Sequence, residues 1–353
     1  MTVAPWRYPH IFTLWQNWLE EGRKHQLDNW LSDRFKGEKR FGKRDRQAYR
    51  DALFGAMRFL ELACLLEQDY QGLKATPSVD DIEPAAFWYW CLLRLHGEAV
   101  APRELEDSDA RLAHFEASER AWKNIHDTPT QAMAWWGLPP QQWQNLQTRA
   151  QLSSWDEATL EQFVQMTTEP TVVWLRPQNI GARACQNMLK DDGIDADRCE
   201  DTGLLFCHGN AKIQQSQCYK DGFVEIQDAA SVALAQQIHA EPGDTIWDMC
   251  AGAGGKSLAI ANQYAANAVF STDIRGAALK KLQERQRRAQ LDNITTQTHD
   301  GSQPLVPAKQ FNWVIVDAPC SGAGVWRRSP DSKHRLSASD ELHELQYLSL
   351  IHI

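Results

Sequence analysis

Two short stretches hold the residues best placed to do chemistry. "DMCAGAGGK" runs from Asp248 to Lys256, and "DAPCSGAGVWRRSPD" from Asp317 to Asp331. The first gathers Gly252, Gly254 and Gly255, which let backbone approach a ligand closely. It is neither G-x-G-x-x-G nor the G-x-x-x-x-G-K-[ST] of a phosphate-binding loop, so a dinucleotide or a triphosphate is a poor fit. The second places Asp317 and Cys320 at the end of the apolar run "FNWVIV" and follows them with Arg327 and Arg328. Cys320 is either a small core residue or a reactive thiol, and its surroundings must decide which. Asp273, 23 residues after Cys250, and Asp300 end two further strand-like runs. A carboxylate at the Asp273 position can accept hydrogen bonds from both hydroxyls of a ribose. One such acid is weak evidence, but three around a glycine-rich turn point to a nucleoside ligand.

The elements that must position these residues alternate. From about 226 onward the order is helix "DAASVALAQQIHA", strand "DTIWDMC", helix "GGKSLAIANQYA", strand "AVFSTDI", helix "GAALKKLQERQRRAQL", strand "NITTQTHD" and strand "FNWVIVDAP". Such alternation predicts a parallel sheet covered by helices, with ligands beyond the carboxyl ends of the strands. Residues 165–225 read as a small α/β domain, with strands in "TVVWLRP", "IDADRC" and "TGLLFC" and a helix ending at Gly193. Residues 1–160 read as helical. There Tyr49, Leu53, Met57, Leu60 and Cys64 fall on one helix face, and eleven of the fifteen tryptophans lie at or before Trp155. Core packing is the preferred reading for most of these tryptophans over stacking on RNA bases.

The net charge of −9 excludes a protein that is basic throughout, but eight Lys/Arg against two acids lie between Arg34 and Arg50, and six against one between Arg275 and Arg288. Each cluster is either a phosphate-contacting patch or a solvated helix face. The eight cysteines form no C-x-x-C pair, so no metal site is expected and the default is eight reduced thiols. No apolar run reaches the length of a membrane span and the N-terminus lacks signal-peptide order, so the reading is cytoplasmic, without a membrane partner.

The motif series "GFVEIQDAAS", "DMCAGAGGK", "STDI", "HDG" and "DAPCSGAGVWRRSPD" resembles that of the RsmB/Sun family of RNA cytosine-5 methyltransferases, over about 165–346. More weakly, the helical N-terminus resembles the NusB-like RNA-binding domain of the bacterial 16S rRNA member. The resemblance implies a class I, Rossmann-like sheet that binds S-adenosylmethionine. Cys250, Ala251, Gly252, Ala253, Gly254, Gly255 and Lys256 would cradle it, Asp273 would hold the ribose, Asp300 would sit by the adenine and Asp317 by the methionine end. Ala253 departs from the proline usual in the family, so the turn is expected to be slightly looser. Cys250 is expected to offer only its backbone. Arg327, Arg328 and Lys333 would meet RNA, with rRNA preferred over tRNA as partner.

The implied chemistry needs a thiol. A thiolate adding to C6 makes C5 of cytosine nucleophilic toward a sulfonium methyl, and an acid such as Asp317 near N3 assists. In the family a cysteine of a downstream "TC" motif attacks, while the Pro-Cys cysteine, here Cys320, helps release product; Cys320 as the nucleophile is the minority reading. No cysteine follows Cys320, and "LSLIHI" departs from the family and translates like a sequencing adapter. The expectation is therefore a sheet incomplete at the C-terminus, with "WVIV" as an open edge, in a chain that folds poorly and transfers no methyl group. Two rivals remain: an RNA-binding protein that kept the fold without turnover, and a small-molecule or protein methyltransferase.

Overall fold

The computed structural model describes residues 7–22, 25–38, 40–169, 171–208, 211–300, 310–318 and 323–334. These pack as two compact units, one formed by 7–169 with 323–334, the other by 171–318.

The first unit is helical: α1 (Tyr8–Asn17), α2 (Leu27–Gly37), α3 (Lys43–Gln71), α4 (Pro84–His96), α5 (Ser108–Trp122), α6 (Pro129–Trp135), α7 (Trp143–Leu152) and α8 (Glu157–Met166). α3 starts where the Asp45 carboxylate accepts the Gly42 N–H at 3.1 Å, and stops at Gly72, whose φ of 62° no β-carbon favours. It buries Tyr49, Leu53, Met57 and Cys64 and half-buries Leu60, the face that the helical spacing marked. Trp18, Trp88, Trp90 and Trp135 are fully buried, so these rings are core and not stacking platforms. Trp90 Nε1 donates to Glu67 at 2.7 Å, and Arg111 pairs with the same carboxylate, which satisfies an acid inside an apolar bundle. Residues 323–334, which the sequence reading puts in its last domain, pack on this unit. The Asp331 carboxylate accepts the Leu27 N–H at 3.1 Å.

The second unit carries two sheets. β1 (Val173–Pro177), β2 (Asp197–Arg198), β3 (Leu205–Cys207) and β4 (Val224–Ile226) form an antiparallel sheet in the order β2-β3-β1-β4, with α9 (Ala182–Asp191) and α10 (Gln217–Lys220) between its strands. Cys185, Cys207 and Cys218 are buried with Leu175, Leu189 and Val224, which accounts for them as core. After α11 (Ala229–Ala235) come β5 (Thr245–Asp248), α12 (Gly255–Gln263), β6 (Ala268–Asp273), α13 (Gly276–Arg288), β7 (Ile294–Thr298) and β8 (Trp313–Ile315). All three pairings are parallel, in the order β7-β6-β5-β8. Ile246, Val269, Ile294 and Ile315 pack with Leu258, Ile260, Leu279 and Leu282 from the helices, each such side chain contributing about 1.5–3 kcal/mol when fully buried. Among the described residues β8 is an edge strand, and its Val314 is exposed. No helix among the described residues is long and apolar enough to cross a membrane.

Candidate active site

The strand order creates a switch point. From β5 the chain winds outward through β6 and β7, and then returns to the other side of β5 as β8. Ligands of open parallel sheets bind at the strand tips where the winding reverses. The glycine turn leaves β5 at that crevice. Met249 N–H donates to Ile315 O on one side at 3.0 Å, and Ala251 N–H to Thr272 O on the other at 2.8 Å. The turn follows, with Gly252 at φ 55° and Gly254 at φ 83°. A β-carbon at Gly254 would stand 2.4 Å from Leu282 Cγ, so glycine is required there twice over. Among the described residues a β-carbon at Gly252 would meet only Arg275 Nη2, at 3.6 Å, which leaves room for a ligand on that side of the turn.

Asp273 ends β6 and is 5% exposed. Its Oδ2 accepts the Gly252 N–H at 2.8 Å, joining the acid and the turn into one rim. Oδ1 accepts the Arg275 N–H at 2.8 Å and Nε at 3.0 Å, and Oδ2 also takes Nη2 at 3.1 Å. Burial pushes the carboxyl up, but the Arg275 and Gly252 donors outweigh it and hold the group below its ordinary range. Lys256, in the first turn of α12, places Nζ 2.5 Å from Asp317 Oδ2, beyond β8. Asp300 lies exposed, two residues past β7. Cys250 is half-buried; burial and the carboxylates of Asp248, Asp273 and Asp317 raise its thiol pKa, so it is kept protonated. The structure thus brings Cys250–Lys256, Asp273 and Asp317 to one rim.

Two residues there escaped the sequence reading. Asp248, at the tip of β5, is 1% exposed, and its Oδ2 accepts the Ser257 hydroxyl at 2.6 Å, while Ser271 Oγ lies 2.9 Å from Ser257 Oγ. Burial raises this carboxyl to about 6. Gln227 is buried, its Nε2 lies 3.8 Å from where a Gly255 β-carbon would stand, and that amide has no partner among the described residues. It is a donor held in reserve beside the turn. The "QD" before α11 is the available signal for Gln227, and Asp248 has none.

Residues 235–350 match the family described as 16S rRNA methyltransferase RsmB/F. Over those residues the chain is similar to the methyltransferase domain of the RsmB/F family. It is 30% identical over 188 residues to ribosomal RNA small subunit methyltransferase B of Pasteurella multocida strain Pm70, covering 51% of this chain and 42% of that protein. The Vibrio cholerae protein of the same name is 30% identical over 195 residues, 53% of this chain and 44% of its own. The chain thus spans less than half the length of these curated relatives. A crystal structure of PH0851 superposes with a TM-score of 0.62 at 17% identity, covering 99% of this chain and 81% of that one, which shows the fold alone. The sheet has the helix-covered parallel arrangement that the alternation of elements implied, and the Rossmann-like class I type that the resemblance implied.

The basic residues divide. Lys333 is 6% exposed, with Nζ donating to Arg58 O at 2.6 Å and Gly137 O at 2.9 Å, so it is a structural pin and presents no charge to RNA phosphate. Arg327 Nε donates to Glu169 O at 2.9 Å, and its guanidinium stands 3.6 Å from the Glu169 carboxylate. Arg328 is exposed. In the 34–50 cluster, Arg34, Lys36, Arg40 and Arg50 each pair with a carboxylate, so much of its charge is compensated. On α13, Arg285 and Arg288 turn inward to Glu225, leaving Lys280, Lys281 and Arg287 exposed. Cys320 lies outside the described residues. Among the described residues no group of three or more His, Cys, Asp and Glu is arranged to hold a metal ion.

Proposed function

We propose that this chain binds S-adenosylmethionine across the tips of β5, β6 and β8 and belongs to an RNA methyltransferase acting at C5 of a cytosine in ribosomal RNA. The observation that carries the reading is the shared rim, in which the Asp273 carboxylate accepts the Gly252 N–H beside an open turn. A nucleoside fits it: Asp273 is an acceptor for ribose hydroxyls, and Gly252 lets the ligand approach backbone. Gln227 Nε2, the Lys256 ammonium and the N–H groups opening α12 supply donors for a carboxylate. Asp300 stands past β7, where an adenine would extend.

The cofactor supplies an electrophilic methyl group. The chain's own residues bind, orient and move protons. Asp317 lies beyond β8 with its charge balanced by Lys256, and its carboxylate oxygens can accept a hydrogen bond from a ring N–H. Cys320, three residues on, takes the role of assisting product release, and Arg327 and Arg328 that of phosphate contacts. The target base must leave its stack to reach such a site, so single-stranded or flipped RNA is the substrate form. The names of the Pasteurella and Vibrio relatives support rRNA over tRNA.

Calorimetry with S-adenosylhomocysteine tests this reading. Saturable one-to-one heat is expected, abolished by Asp273→Asn. A folded sample that gives no heat with either S-adenosylhomocysteine or S-adenosylmethionine would refute it. Mass mapping of small-subunit rRNA incubated with the gene product then decides the base, and a methyl group found on protein or small molecules instead favours the rival methyltransferase class.

A further inference from the structure

Arg285 stands in the last turn of α13, and it touches the glycine turn. Its Nη1 donates to Ala253 O at 2.6 Å, while Nε and Nη2 hold Glu225 Oε2 at 3.2 and 3.0 Å. Glu225 belongs to β4 of the antiparallel sheet and is fully buried, and its other oxygen is taken by Arg288. Arg288 in turn lies 3.8 Å over the Tyr219 ring. One buried carboxylate is thus satisfied by two guanidinium groups, and one of these reaches on to the turn.

The contact falls on a peptide that needs it. Ala253 O and Gly254 N–H belong to one peptide plane. The carbonyl is held by Arg285 and the N–H donates to Ala251 O at 2.8 Å, so the plane is fixed at both ends. Alanine gives no restraint of its own, whereas proline would fix φ near −65°. Without Arg285 only the N–H end resists rotation, and the flanking glycines, both at positive φ, offer little. Leu282, on the preceding turn of α13, fills the space beside Gly254, so the helix grips the turn at adjacent residues by an apolar contact and a hydrogen bond.

We propose that Arg285 is a positioning residue: braced by Glu225, it sets the orientation of peptide 253–254 and thereby the shape in which the turn receives a nucleoside. The inference rests on the function proposed above. Its test is calorimetry with S-adenosylhomocysteine on the 353-residue chain and three variants, Arg285→Lys, Arg285→Met and Arg288→Lys, each with a thermal melt. Lysine at 285 keeps a charge near Glu225 but cannot span both acceptors with a planar fork. Arg285→Lys is expected to weaken binding about tenfold, the size of one lost charge-assisted hydrogen bond, with its melting midpoint close to that of Arg288→Lys. Arg288→Lys shares the Glu225 contact without reaching the turn, and should bind as tightly as the parent. If Arg285→Met does not fold, the two lysine variants still decide. Equal affinities for Arg285→Lys, Arg288→Lys and the parent overturn the inference and leave the cofactor reading standing. No heat from the folded parent removes both.

Discussion

Lys256 Nζ and Asp317 Oδ2 meet at 2.5 Å, tying the start of α12 to the segment beyond β8 across the switch point of the sheet. Neither is a free charge. The ammonium is mostly buried and the carboxylate half exposed, so the lysine depends on the pair more than the acid does. A ligand carboxylate arriving here meets an ammonium with donors to spare, since one ammonium carries three.

Lys256→Met should therefore weaken S-adenosylhomocysteine binding by about tenfold, from loss of a charge-assisted donor. Asp317→Asn should change it by less than about threefold, because an amide oxygen still accepts from the ammonium. Calorimetry reads both, and the reverse order would show that Asp317, not Lys256, holds the ligand.

Arg275→Ala should tighten binding. Both oxygens of Asp273 are engaged by the Arg275 guanidinium, whose side chain is 70% exposed. A ribose that uses this carboxylate must first displace the arginine. With the guanidinium largely in water and only the carboxylate buried, the pair is screened on one side and stabilises by about 1 kcal/mol, so removing it should raise affinity by roughly two- to fivefold. Weaker binding in the alanine variant would mean that the guanidinium itself contacts the ligand.

Asp248→Asn isolates one titration. Burial raises the Asp248 carboxyl from 3.8 to about 6, so between those values the folded chain holds a proton that the unfolded chain has lost. Stability from this group is fully present below pH 4 and is lost as pH rises through 6. The asparagine variant lacks that loss and can still accept from Ser257. Its stability relative to the parent should increase from pH 4 to pH 7 by up to about 3 kcal/mol, measured by urea unfolding. A pH-independent difference would show that Asp248 ionises freely in place.

What was legible in the sequence was what local pattern encodes. Apolar runs ending in Asp273 and Asp317, and glycines after Cys250, marked strand tips and a turn, because strand period and glycine freedom act within a few residues. What was not legible was the fate of charged side chains. Arg285, Arg288 and Lys333 read as surface or phosphate-facing cations, yet their partners are Glu225, Arg58 O and Gly137 O, all distant in sequence. Asp248 is hidden in the sequence for a related reason. Its burial depends on Ser257 and Ser271, contributed by α12 and β6, and only the assembled sheet brings them together.

Lys333 carries its ammonium into the helical unit, where it is 6% exposed. Burial depresses the ammonium from 10.5 to about 7, with Arg58 adding to the shift and Glu61 opposing it. Between pH 7 and 10.5 the unfolded chain holds a proton that the folded chain releases, so this group's contribution to stability grows as pH rises through that window. A neutral amine still donates two hydrogens, enough for Arg58 O and Gly137 O. Lys333→Met leaves both carbonyls without that donor and removes the titration. The stability of the parent over the variant should therefore widen by up to about 1.4 kcal/mol per pH unit from pH 7 to 9, followed by urea unfolding. RNA affinity, measured on folded samples at low salt, should be unchanged, whereas Arg328→Ala should lower it and reduce its salt dependence. A loss of RNA affinity in Lys333→Met with no change in the pH slope would return this lysine to the phosphate-contacting set.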